Sequence, residues 1–278
     1  MPSRRHVLLT GLGVGACALL AAGGVTLATG WPQSKAPAEQ ERSYVGPAVQ
    51  QIADRVPPPP ERMMDEDYRA FLKTRELRGT WRWRIAAADA KKSPKALLRA
   101  FSCAAGVELM PERAPHLTLL LATAGSDSAK VASKAKSKFP RERPYTLYEG
   151  PTCLSPDGLG PDRDYPSGHA ARGWTWGLIL AELLPDQQSQ LLSRAEAYGE
   201  SRVICGFHSR TGVEAGRNVA MLTVKSMMDD PRFRADLKKA SQELAQLRKH
   251  GRLPPARLCR AEGTILAAPA RGEEGRTP

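Results

Sequence analysis

The sequence predicts an all-α protein built around one compact helical-bundle domain. Three observations carry that expectation. Apolar residues recur at three-to-four spacing along most of the chain, which is the helical period. Ser-Pro and Asp-Pro pairs sit where periodic stretches begin, as helix starts require. No segment alternates apolar and polar residues in the way a half-buried strand does. The chain has 278 residues; setting aside two ends that do not read as folded domain leaves roughly 200, enough for one sizeable core.

In chain order, residues 1–38 read as an export signal and the start of a lead-in. Arg4 and Arg5 precede an uncharged run from Val7 to Gly30, the layout of a secretory signal. Ser3-Arg4-Arg5 followed by apolar residues fits a twin-arginine signal, with the general secretory route as the other reading. The run is long enough to span a bilayer, so an uncleaved anchor is the structural alternative; its Gly, Ala and Thr content favours cleavage. Residues 39–60 are expected to be a linker ending in Pro57-Pro58-Pro59-Pro60, which fixes an extended segment.

The helical domain is expected over 61–250. Ser93-Pro94 should open a helix carrying Leu97, Leu98 and Phe101 on one face. A second should run from Pro115 through Leu117, Leu120, Leu121, Val131 and Ala135, with a break near Gly125. A third should follow Ser167-Gly168 and end at Pro185, burying Trp174, Leu178, Ala181 and Leu184. Asp186 to Tyr198 and Val213 to Met228 read as further amphipathic stretches, and Asp230-Pro231 as the start of the last helix. Residues 251–278 are expected to be mostly a disordered tail of Pro, Ala, Gly and charge.

Composition narrows the functional classes. Forty-one Lys and Arg against 29 Asp and Glu give a net charge of +12, which favours an anionic partner. Nucleic acid is not expected, because no aromatic residues interleave the basic ones. A hydrophobic content of 41% excludes a multi-span membrane protein. If Cys17 leaves with the signal, Cys103, Cys153, Cys205 and Cys259 remain. In an exported chain they allow one or two disulfides with three full connectivities, and Cys205 reads equally well as a buried free thiol. No Cys-x-x-Cys or Cys/His cluster occurs, so a zinc site is not expected and no cofactor is assigned.

Three clusters concentrate cations, two histidines and a helix start: Lys136-x6-Arg143-Pro144, Pro166-Ser167-Gly168-His169, and Ser201-Arg202-x5-His208. Ser167 and Gly168 lie where a loop enters a helix, so backbone N–H groups and the positive end of the helix dipole face outward there. Lys136, Arg143 and Arg202 add three positive charges, and the arginine forks match tetrahedral oxyanions. Two histidines beside an anion pocket suggest a nucleophile and an acid. Each residue alone has a plainer reading, as helix cap, solvated charge or buried imidazole; the ordered set points to phosphate.

The ordered set resembles the signature of the phosphatidic-acid-phosphatase type 2 and vanadium-haloperoxidase superfamily. More narrowly, Val56-Pro57-Pro58-Pro59-Pro60, Ala86-Ala87-Ala88-Asp89-Ala90, Tyr165-Pro166-Ser167-Gly168-His169 and Ala215-Gly216-Arg217 are similar to bacterial class A non-specific acid phosphatases. The resemblance implies a helical acid-phosphatase domain over 61–250 that hydrolyses small phosphomonoesters without a metal. It implies His208 as the nucleophile that forms a phosphohistidine and His169 as the general acid. Lys136, Arg143, Ser167, Gly168 and Arg202 would hold the phosphoryl oxygens. An acidic optimum follows if His169 must stay protonated.

One position departs from the pattern. The family places Asp four residues after the nucleophilic histidine, and this chain has Gly212. That Asp should fix the tautomer of the imidazole and stabilise its developing charge, and losing the equivalent group in a hydrolytic triad costs on the order of 10⁴ in rate. Glu214 falls on a different helical face, so a backbone carbonyl or a water would have to orient the ring. The expectation is therefore a weakened phosphatase in which Gly212→Asp raises turnover. The competing readings are a non-catalytic phosphate-binding relative and a vanadate-dependent haloperoxidase. An integral lipid phosphatase is disfavoured by the lack of a second apolar span.

Overall fold

Side-chain caps define where the main helices begin. Thr80, Ser93, Ser167, Ser209 and Asp230 each accept a hydrogen bond from a backbone N–H in the first turn that follows, satisfying donors that the helix itself cannot. The computed structural model describes residues 42–60 and 64–267. These form α1 (Val49–Asp54), α2 (Met64–Arg75), α3 (Trp81–Asp89), α4 (Pro94–Ala105), α5 (Pro115–Lys136), α6 (Pro144–Leu147), α7 (Gly168–Leu183), α8 (Gln188–Ile204), α9 (Arg210–Met227), α10 (Pro231–His250) and α11 (Ala256–Ala267). Among the described residues the only extended pairing is an isolated bridge between Arg141 and Arg163. The all-α class holds.

The long apolar helix α7 lies at the centre, packed against α5, α8 and α9. It buries Trp176, Ile179 and Leu180 almost completely. Close approach on its flanks depends on glycine. A Cβ added at Gly173 would lie 2.2 Å from Cδ1 of Tyr198 on α8. Gly125 does not break α5, which is continuous. Its missing side chain instead admits α7, since a Cβ there would lie 2.7 Å from Trp176 Nε1 and 2.9 Å from Arg172 Cγ.

Two other expectations are corrected, and one open reading is decided. The segment taken as a linker over 39–60 is, from residue 42, part of the domain. Its Tyr44, Val45, Ile52, Ala53 and Val56 are buried in the main core, and Tyr44 bonds Asp127 and Asp236. Apolar residues at helical spacing gave it a face to bury, despite the polar residues between them. The helix opened by Asp230-Pro231 is not the last: the described part of the expected tail contains α11, joined to α4 by the Cys103–Cys259 disulfide. Cys205 is not a free thiol but is bonded to Cys153. The signal expected over 1–38, with Cys17, lies outside the described residues, as does the tail from 268 onward.

Candidate active site

The first cluster runs from the C-terminal end of α5 to the start of α6, the second sits at the N-terminal end of α7, and the third spans the last turn of α8 and the turn before α9. Ser167, the N-cap of α7, is fully buried. Its Oγ accepts from Ala170 N at 3.2 Å, and its own N–H donates to Gly212 O at 2.7 Å. That bond ties the start of α7 to the first turn of α9. Gly168 and His169 follow, the first two helical residues, whose N–H groups have no carbonyl one turn back. A Cβ at Gly168 would make only ordinary contact, 3.6 Å from Ala132, so packing within the chain does not demand glycine there.

The two histidines are held as opposite tautomers. His208 Nδ1 lies 2.7 Å from the carbonyl oxygen of Asp164, and Nε2 lies 2.9 Å from Arg143 Nη1. A carbonyl can only accept and a guanidinium only donate. Nδ1 therefore carries the proton, and Nε2 presents a lone pair. His169 is reversed: Nε2 lies 2.7 Å from Asp89 O, so it bears the proton, while Nδ1 is buried without a partner. The His169 ring stacks on Tyr198 with centroids 4.9 Å apart and planes 3° from parallel. Burial, with Arg202 and other cations nearby, pushes His169 well below the usual imidazole value. Burial, then Arg143 and Lys136, does the same to His208.

The cations divide into two roles. Arg143 donates from Nε to Gly160 O at 2.8 Å and from Nη1 to Phe207 O at 2.6 Å. Arg202 is buried, its guanidinium 4.7 Å from the Phe207 ring centroid, and its Nε has no hydrogen-bond partner. Leaving such a donor unsatisfied costs about 1–3 kcal/mol, so Arg202 Nε and His169 Nδ1 are two buried polar atoms that call for a ligand. Lys136 differs. Its ammonium bonds the carbonyls of Arg163 and Pro166 and reaches Asp164 O at 3.4 Å. It thus secures the loop before Ser167 rather than projecting freely. Burial lowers its pKa to about 7 and that of Arg202 to about 10.

Behind these groups stand residues that sequence reasoning passed over. Asp89, present only as part of a flanking resemblance, offers its carbonyl to His169, while its carboxylate accepts from Arg194 at 2.6 and 3.2 Å and from Ser201 Oγ at 2.7 Å. Arg172, one turn after His169, has its pKa lowered by burial, and Lys92 senses Arg202, Arg172 and Arg143. Both enlarge the positive field at the site. Asp164 is fully buried. Its Oδ1 accepts from Ser209 N at 2.8 Å and lies 3.3 Å from His208 Nδ1, and its Oδ2 accepts from Ser209 Oγ at 2.5 Å. The available signal was an acid immediately before Tyr165-Pro166-Ser167-Gly168-His169.

Glu214 lies on the first turns of α9 and makes no hydrogen bond to His208. A backbone carbonyl orients the ring, one of the two alternatives that the sequence allowed. The expectation that Gly212→Asp raises turnover meets a tight site. A Cβ at Gly212 would lie 3.0 Å from Ser209 Oγ and 3.1 Å from both the carbonyl oxygen and Oδ1 of Asp164. A side chain there would have to push these atoms back by a few tenths of an ångström.

A helical domain whose helix N-terminus, buried cations and paired histidines converge defines a class, and comparison with known proteins places the chain in it. Residues 115–234 match the PAP2 superfamily. The chain is 36% identical to an acid phosphatase of Zymomonas mobilis, over 74% of this chain and 80% of that protein. It is 38% identical to a non-specific acid phosphatase of Providencia stuartii, over 70% and 81%, and 35% identical to one of Salmonella typhimurium, over 67% and 78%. The chain belongs to the PAP2 superfamily, within its class A non-specific acid phosphatase branch.

Proposed function

We propose that this protein is an exported acid phosphatase that hydrolyses small phosphomonoesters through a phosphohistidine intermediate. The observation that carries the reading is the pair of opposed tautomers. His208 offers the lone pair of Nε2 beside Arg143, while His169 has Nδ1 as its only nitrogen not committed to the backbone. Nε2 of His208 attacks phosphorus, and the phosphorus–ester oxygen bond breaks with its electron pair leaving on oxygen. The protonated His169 gives its Nδ1 proton to that oxygen. Water then attacks the phosphohistidine, losing a proton to His169, and the phosphorus–nitrogen bond returns its pair to Nε2 as phosphate leaves.

Arg143, Arg202, Ser167 and Gly168 hold the three non-bridging oxygens, and fixed donors there stabilise the charge that builds up in the transition state. Lys136 contributes positive charge while anchoring the loop that presents Ser167. The two disulfides support export, because such bonds persist in oxidising compartments. No helix among the described residues is long and apolar enough to cross a membrane. The alternative, a non-catalytic phosphate-binding relative, rests on Gly212 alone, and the support of His208 by Asp164 weakens its motive.

The test is rapid quench into alkali, in which a phosphohistidine survives, with a radiolabelled phosphomonoester. His208→Ala should form no acid-labile phosphoenzyme and lose at least about 10³ in kcat. His169→Ala should still be phosphorylated by para-nitrophenyl phosphate, whose leaving group needs little protonation, but barely by an alkyl phosphate. Phosphoenzyme in His208→Ala would refute the assignment.

A further inference from the structure

We infer that the carboxylate of Asp164 supplies to His208 the support that the family resemblance assigns to an acid at position 212, so that the positioning group has moved from α9 to the loop before α7. Three observations carry this. Asp164 Oδ1 lies 3.3 Å from His208 Nδ1, beside the 2.7 Å bond from Nδ1 to the carbonyl oxygen of the same residue. Both oxygens of the carboxylate are fixed by Ser209, through its backbone N–H and its hydroxyl. The space that a side chain at 212 would fill is bounded by Asp164 O and Oδ1, each 3.1 Å from where its Cβ would stand.

The geometry separates two tasks that one side chain could otherwise perform. The carbonyl of Asp164 fixes the tautomer and aims the ring. The carboxylate brings negative charge next to an imidazole that becomes cationic as Nε2 bonds to phosphorus, and opposite charge at this range favours the charged form. Arg141 keeps that carboxylate in place. Its Nε is 3.7 Å from Asp164 Oδ2, its Nη2 2.7 Å from Asp67 Oδ2, and its Nη1 2.5 Å from Thr211 Oγ1. Asp67 in turn accepts from the backbone N–H of Thr211 at 3.0 Å. Asp164 touches no reacting atom, so it is a positioning residue. Its role is electrostatic, and it depends on no other acid in the first turn of α9.

The inference rests on His208 being the nucleophile, so His208→Ala is measured alongside. Asp164→Asn keeps the main-chain carbonyl and the shape of the side chain but removes the charge. It should lower kcat and the rate of phosphoenzyme formation on the order of 10²–10³, less than in a triad where one carboxylate does both tasks, while KM changes by less than about threefold. Gly212→Asp alone should not raise kcat, because it crowds a second carboxylate against the first. The decisive variant is Asp164→Ala combined with Gly212→Asp, which vacates one carboxylate position and fills the other. It should recover at least about tenfold in kcat over Asp164→Ala at unchanged KM, a rescue that a merely structural acid would not show. If Asp164→Asn does not fold, the comparison of Asp164→Ala with the double variant decides. Full activity in Asp164→Asn, or no recovery in the double variant, overturns the inference. Turnover surviving in His208→Ala would instead fall on the nucleophile assignment and take the inference with it.

Discussion

At the scale of single residues, the site is governed by burial acting on two histidines in a field of cations. Both imidazoles are held well below their ordinary pKa of 6.5, and the consequence differs for each. In the reaction proposed above the neutral form of His208 attacks phosphorus, so a depressed pKa keeps it competent down to acidic pH. The same proposal makes protonated His169 the acid, so competence in the free enzyme is lost as pH rises through a value below 6.5. A bound phosphoryl dianion favours the imidazolium and raises that value. The alkaline limb of kcat/KM, which reports the free enzyme, should therefore lie below pH 6.5, with the limb of kcat at higher pH. Profiles corrected for ionisation of the substrate test this. Coincident limbs above pH 6.5 would show that His169 is not held as described.

At the scale of elements, the catalytic groups are placed by how closely helices approach one another. Tyr198 on α8 stacks on His169 only because Gly173 on α7 leaves room for it. Asp89, at the last turn of α3, then sets the tautomer of that ring while its carboxylate is locked by Arg194 and Ser201 of α8. Gly173→Ala should push Tyr198 out of its stack, at a cost of about 1–3 kcal/mol in stability. It should also lower kcat more for alkyl phosphates than for para-nitrophenyl phosphate, because the proposed general acid is what moves. Urea denaturation and the two assays together check this. A destabilised variant with an unchanged ratio between the two substrates would mean that the stack does not position the acid.

For the molecule as a whole, the two disulfides divide the labour. Cys103–Cys259 closes a separation of 156 residues and joins α11 to α4, whereas Cys153–Cys205 closes 52 residues and fixes the turn that carries His208. Closing loops of this size stabilises by about 2–5 kcal/mol on chain-entropy grounds, so Cys→Ala replacement of either pair should lower the thermal midpoint. Only the Cys153 and Cys205 replacement should also reduce kcat, since Cys205 lies three residues before His208 and Phe207 stacks on Arg202. Melting curves and steady-state kinetics of the two variants distinguish these effects. Equal loss of kcat in both would indicate that general loosening, not the position of the turn, limits catalysis.

Sequence by itself determined the helical class and the starts at Ser93, Ser167 and Asp230, and it singled out Lys136, Arg143, Ser167, Gly168, His169, Arg202 and His208 as candidates. These follow from local rules of capping, periodicity and motif spacing, which need only neighbours along the chain. It did not determine that residues from 42 onward dock into the core, that Gly125 is an approach site rather than a break, or that Cys205 is bridged. Each depends on a partner distant in sequence. The same reason explains the largest difference. Read along α9 alone, Gly212 is the place of a missing acid, whereas Asp164, 44 residues before His208, brings a carbonyl and a carboxylate to that imidazole from another element. A charge can be recruited from any chain segment that packs within a few ångströms, and only the tertiary structure decides which segment that is.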